Sequence, residues 1–128
     1  MNLLLDTHVL LWVALAPERM SSTALAWIAD RRNTLWVSSV SVWEIANKSS
    51  LGKLTLNAPL QQFMDRQRRA LRFFDLALTH AHAMALAGLP RHHKDPADRL
   101  LIVQASVEGM RLVTADGNIA RYDVGTIW

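Results

Sequence analysis

Cysteine is absent from the 128 residues. That excludes disulfide staples and thiolate metal sites, and it agrees with a cytoplasmic home. No apolar stretch approaches the roughly 18 residues that a membrane span requires. The start, Met1-Asn2-Leu3, lacks a basic region and soon meets Asp6, so a signal peptide is not expected. Internal repeats, linkers and low-complexity tracts are also missing. The length is that of a single domain spanning residues 1–128, long enough to bury a core. With 51% hydrophobic and 20% charged residues, the chain has the balance of a folded protein and not of a disordered one. The net charge of +3 and a sequence pI near 10.0 only permit an anionic partner. The distribution of charge says more. Arg66, Arg68, Arg69 and Arg72 cluster, as do Arg31 with Arg32 and Arg91 with Lys94, apart from the acids discussed below. An acidic pocket rimmed by basic surface would suit a metal centre acting on a polyanion.

What is present is an alternation of short apolar runs with helical patterns. Asn2 to Asp6 is apolar on both faces and predicts a buried strand. Thr7 to Ala16 predicts a helix stopped by Pro17, with Leu10, Leu11, Val13 and Ala14 inward. Ser21 or Ser22 can cap a second helix reaching about Arg32, with Leu25, Ile28 and Ala29 on one face. Thr34 to Val37 predicts a strand. Ser39 to Leu51 predicts a helix with Val40, Trp43, Ile45 and Ala46 as its apolar side, ended by Gly52. Pro59 opens a basic helix through Arg69, followed by a strand at Leu71 to Phe74 and a helix at Thr79 to Ala87. Pro96 to Glu108 carries the clearest helical pattern, ended by Gly109, and Arg111 to Thr114 predicts the fourth strand. A turn or short helix at Gly117 to Arg121 and an edge strand at Thr126 to Trp128 complete the reading. Hairpin turn signals between the strands are lacking. The connections are therefore crossovers, and the fold class is α/β with a mostly parallel sheet covered on both faces.

In such sheets ligands bind beyond the carboxyl ends of the strands. Asp6 and Asp116 lie at two of those ends, Asp98 opens the helix that begins near Pro96, and Glu44 sits inside the apolar stretch Val42-Trp43-Glu44-Ile45. Each has a bland reading. Asp6 can cap the helix at Thr7, Asp95-Pro96-Ala97-Asp98 is a good helix start, Asp116-Gly117 is a turn dipeptide, and Glu44 can pair with Lys48. Together they are more informative, because two like charges 4 Å apart cost roughly 4 kcal/mol at an effective dielectric of 20. Four carboxylates gathered at one edge need a cation, a basic partner or their protons. Mg²⁺ and Mn²⁺ prefer such oxygen ligands, and metal-assisted hydrolysis of phosphate esters is the chemistry they serve. Asp95 stays in reserve, since a cap explains it. The adjacent His92-His93 do not have a zinc spacing, and that loop is read as basic surface able to touch phosphates. His80 and His82 are read as surface or packing residues.

The motifs Leu-Leu-Leu-Asp6-Thr7-His8, Val42-Trp43-Glu44-Ile45-Ala46 with Lys48, Leu51-Gly52-Lys53-Leu54, His92-His93-Lys94-Asp95-Pro96-Ala97-Asp98-Arg99-Leu100-Leu101-Ile102 and Leu112-Val113-Thr114-Ala115-Asp116 resemble the PIN-domain ribonucleases. The similarity is greatest to the VapC-type toxins of bacterial toxin–antitoxin pairs, and it runs over essentially the whole chain. The resemblance implies a three-layer α/β/α sandwich with a parallel sheet of about five strands, and a Mg²⁺- or Mn²⁺-dependent endoribonuclease cutting cellular RNA such as tRNA or rRNA. It further implies neutralisation by a small VapB-type antitoxin and a homodimer. By position, Asp6, Glu44, Asp98 and Asp116 become the metal-binding and catalytic acids, with Thr114 as a supporting hydroxyl. One departure stands out: many PIN domains carry Asn two places after the first acid, where this chain has His8. Two other classes share the α/β alternation. A receiver-like phosphoacceptor switch would need paired acids near the first strand and a Lys after the last. A structure-specific DNA nuclease of the same fold would carry more acids and larger insertions.

Overall fold

The computed structural model describes residues 1–128. Five strands, β1 (Asn2–Leu5), β2 (Thr34–Ser38), β3 (Phe74–Leu76), β4 (Arg111–Val113) and β5 (Thr126–Ile127), form one sheet in the order β3-β2-β1-β4-β5. Every neighbouring pair is parallel, with Leu4 beside Trp36 on one side and Leu112 on the other. Six helices flank it: α1 (Thr7–Leu15), α2 (Ser22–Ala29), α3 (Ser39–Ser50), α4 (Leu60–Leu71), α5 (His80–Ala85) and α6 (Pro96–Glu108). The expected α/β/α layering with a parallel sheet of about five strands is what forms. No helix is long and apolar enough to cross a membrane.

The β1 leucines show why the sheet must be covered on both sides. Leu3 and Leu5 point into one core with Val9 and Leu10 of α1, Ala24 of α2, Ile45 of α3 and Phe63 of α4. Leu4 points the other way, into a second core with Leu101, Ile102 and Ala105 of α6. All three leucines are fully buried, each contributing roughly 1.5–3 kcal/mol relative to exposure.

Several boundaries differ from the sequence expectation. The helix expected to stop at Arg69 continues to Leu71 and ends with Arg72 in the left-handed conformation (φ 57°), its N–H donating to the Arg68 carbonyl at 2.7 Å. This cap moves the following strand from the expected Leu71–Phe74 to Phe74–Leu76 and sends Phe73 into the core. α2 ends at Ala29, short of Arg32, because the Asp30 carboxylate accepts from Arg32 N–H and turns the chain. Its inward residue is Ala24, while Leu25 and Ala29 are exposed. Trp43 is also exposed, and α3 packs through Val40 and Ile45.

The strand order reverses at the centre of the sheet. From β1 the chain builds outward through β2 to β3, then returns across the sheet to β4 and β5 on the other side. The carboxyl ends of β1 and β4 therefore flank a topological switch point, the place where open α/β sheets bind ligands.

Candidate metal and nuclease site

Asp6 leaves β1 and is held from two sides. The Thr114 hydroxyl donates to its Oδ2 at 2.7 Å, and the His8 backbone N–H donates to its Oδ1 at 3.4 Å. The same Thr114 oxygen accepts from the Asp116 N–H at 3.1 Å, so one hydroxyl ties the end of β4 to the end of β1. Asp116 in turn accepts from Asn118 N–H at 2.9 Å, forming a tight turn. Asp98 occupies the first turn of α6, its N–H capped by the Asp95 carboxylate at 3.1 Å. α3 starts directly after β2 with Ser38 as its cap, and the Thr7 hydroxyl donates to Ser41 at 2.8 Å, drawing the start of α1 against α3. Glu44 lies one turn further along that helix.

These four acids come from separate parts of the chain and feel one another. Burial pushes the Asp98 carboxyl up to about 8, and the charges of Asp6, Asp95, Glu44 and Asp116 add to the shift. The Asp6 carboxyl is also raised, mainly by burial and in small part by Glu44, against the lowering effect of the Thr114 hydrogen bond. Only 3% of Asp6, 7% of Glu44 and 8% of Asp98 is exposed, too little for water to meet their charge. Lys48 takes Glu44 Oε2 at 3.0 Å, which is the expected helix pair, but Glu44 Oε1 is buried without any hydrogen-bond partner. All the bland readings are thus realised, and the acids still leave negative charge unmet. A cap uses one lone pair of a carboxylate, and several remain.

An orphaned carboxylate oxygen, a shared excess of negative charge and an all-oxygen donor set fit a hard divalent cation such as Mg²⁺ or Mn²⁺. The structure also adds a residue that the sequence reading left on the surface. One nitrogen of His93 and one carboxylate oxygen from each of Asp98 and Asp116 lie within 4.8 Å of one another. Adjacency to His92 concealed this, because the distinguishing signal is the distant Tyr122 that holds the ring. His82, by contrast, proves to be a packing residue: it is buried, accepts from Thr79 N–H and meets Glu108 Oε1 at 2.8 Å. The basic rim is partial. Arg91 and Lys94, in the loop before α6, line a cleft with Ala83, Leu86 and Arg99 that contains none of the four acids, whereas Arg31 and Arg32 lie at the amino end of β2, opposite the acids, and Arg68 is paired with Asp75 at 2.7 Å. A cleft of about 500 Å³ between α1, α2 and α4, lined by Val13, Leu25, Ile28, Arg31 and Arg72, contains none of the four acids.

The family of this chain follows from comparison. Residues 3–125 match the PIN domain. The chain is a PIN-domain protein. Ribonuclease VapC22 of Mycobacterium tuberculosis is 31% identical over 116 residues, covering 90% of this chain and 87% of that one. Among solved structures, VapBC2 from Rickettsia felis bound to a promoter DNA fragment superposes with a TM-score of 0.75 at 17% identity, over 98% of this chain and 97% of that one. VapBC from Salmonella typhimurium bound to DNA gives 0.68 at 15% identity, over 98% and 96%. At these identities the structural matches concern the fold, and they agree with the α/β/α topology. Membership in the PIN domain family also removes the receiver reading, and as expected for its absence Asp6 is followed by Thr7 and His8 and no lysine follows Asp116.

Proposed function

We propose that residues 1–128 form a single PIN domain acting as a Mg²⁺- or Mn²⁺-dependent endoribonuclease toxin. Its target is cellular RNA, tRNA or rRNA, and a VapB-type antitoxin neutralises it. It works in the cytoplasm as a homodimer. The observation that carries the reading is the convergence of Asp6, Glu44, Asp98 and Asp116 at the switch point, with Asp98 pushed up to about 8 by burial and by its acidic neighbours. The ribonuclease name of the VapC22 relative and the VapB–VapC pairing in the neighbouring structures support the substrate class and the partner.

Asp6, Glu44, Asp98 and Asp116 would hold the cation, which when bound supplies charge neutralisation and an activated water for phosphodiester hydrolysis. The chain's own residues do the rest. Thr114 orients Asp6 and the Asp116 backbone together, so both acids keep one geometry. Ser41 and Thr7 fix the depth at which α3 presents Glu44. Arg91 and Lys94, in the loop before α6, offer cationic contacts to the RNA backbone away from the acids. The four acids would repel that backbone without a cation, so substrate binding and metal loading are coupled.

The test is cleavage of matched RNA and DNA oligonucleotides by the purified chain with Mg²⁺, with Mn²⁺ and with chelator. Cleavage of RNA alone, lost on chelation and in Asp98→Asn, supports the reading. Equal cutting of DNA points to the structure-specific DNA nuclease, and cutting that survives chelation overturns the metal role.

A further inference from the structure

His93 lies against the acidic basin, and a metal ligand is the first role its nitrogen suggests. Its hydrogen bonding argues for another. The Tyr122 hydroxyl is buried beneath the loop before α6 and serves three N–H donors: His92 N at 3.1 Å, His93 N at 3.3 Å and the Arg99 guanidinium Nη1 at 3.2 Å. Arg99 is locked in that position, since the same Nη1 donates to the Pro90 carbonyl at 2.7 Å and Nη2 to the Leu89 carbonyl at 3.3 Å. A hydroxyl oxygen has two lone pairs, and three donors already share them. It cannot also accept a proton from His93 Nδ1, which stands 2.9 Å away. The hydroxyl's own hydrogen must therefore point at Nδ1. Both rings, His92 and His93, lie edge-on to the tyrosine ring, with centroids 4.7 and 5.4 Å from it, which leaves His93 little room to turn over.

An imidazole that accepts at Nδ1 carries its proton at Nε2 when neutral. Nε2 of His93 is buried, makes no hydrogen bond, and stands 3.5 Å from Asp98 Oδ2. A protonated nitrogen has no lone pair to give a cation. We infer that His93 is a fixed hydrogen-bond donor of the site, held by Tyr122 and Arg99, and that it binds a phosphate oxygen of the RNA instead of ligating the metal. The inference rests on the nuclease reading above for its substrate. In a pocket of carboxylates this donor gives an anionic oxygen a partner, once that oxygen takes the place beside Nε2 where Asp98 Oδ2 stands at 3.5 Å.

The first measurement is made on the unaltered protein. Long-range proton–nitrogen NMR correlations of the histidine-labelled intact chain, with His93 identified by its disappearance in His93→Gln, should show the Nε2-protonated tautomer. An Nδ1-protonated His93 overturns the inference. Calorimetry with Mn²⁺ alone should give His93→Ala an affinity within about threefold of the unaltered protein, whereas a tenfold or greater loss makes it a ligand and overturns the inference. Its RNA-cleavage kcat/KM should fall roughly ten- to a hundredfold, the scale of one hydrogen bond to a charged group. His93→Gln, which keeps a donor near Nε2, should recover most of that loss. An equal loss in Gln and Ala overturns the donor role. If the unaltered protein takes up no Mn²⁺ and cuts no RNA, the nuclease reading itself fails. Uptake that disappears only with His93→Ala refutes this inference alone.

Discussion

Asp30 and Asp98 stand at opposite ends of one sheet, and their carboxyls are pushed in opposite directions. Asp30 lies in the turn before β2, where Arg32 grips it at 2.8 Å, and that hydrogen-bonded guanidinium lowers it to about 2. Asp98 lies at the carboxyl end, where burial and four neighbouring acids raise it to about 8. The amino end of the sheet is electrostatically settled by its own chain. The carboxyl end is not, and its unmet charge is the demand that a cation and a polyanion would answer.

Several changes would break or sharpen this contrast. The largest effect belongs to Asp98→Asn. RNA cleavage should fall on the order of a hundred- to a thousandfold, the scale of losing one electrostatic group at a reacting centre. The metal-free protein should nevertheless melt at a higher temperature, because an uncompensated buried acid is gone. A lower Tm in that variant would mean that the acids stabilise one another and would break the comparison.

Second comes pH. An acid whose folded-state value is raised keeps its proton in the fold after the unfolded chain has lost it. Stability of the metal-free protein should therefore fall as pH rises from near the ordinary 3.8 towards about 8. Calorimetric melting at a series of pH values checks the slope, and saturating Mn²⁺ should flatten it. A slope of the opposite sign would show that Asp98 is already ionised.

Third, Thr114→Val removes the hydroxyl shared by Asp6 and the Asp116 backbone, and Mn²⁺ affinity should drop roughly ten- to a hundredfold. Fourth, Lys48→Met frees Glu44 from its competing ammonium group, and Mn²⁺ should bind about twofold tighter, in keeping with a helix-surface pair of about 0.3–0.5 kcal/mol. The smallest effect is expected for Asp30→Asn. Its pair with Arg32 is exposed, so Tm should fall little and cleavage not at all.

Much of this was legible in the chain. The apolar runs ending at Asp6 and near Asp116, the Asp95-Pro96 helix start and the missing hairpin signals give the parallel α/β order and place two acids at strand ends. The third strand was misplaced, because nothing local announces that Arg72 adopts a left-handed cap and prolongs α4 by two residues. Trp43 was misjudged because the face of α3 turned inward is chosen by α6 and the sheet, not by the size of its side chains. His93 was undervalued for a similar reason. Its orientation depends on Tyr122, 29 residues away in sequence.

Local chemistry along the chain determined which residues can cap, turn, extend or bury, because those preferences act over three or four neighbours, and it supplied the candidate acids. Only the folded structure decided that caps with ordinary local duties would face one another across a switch point. The physical reason is that charge repulsion and desolvation depend on distances between segments far apart in sequence, and packing both faces of the sheet sets those distances.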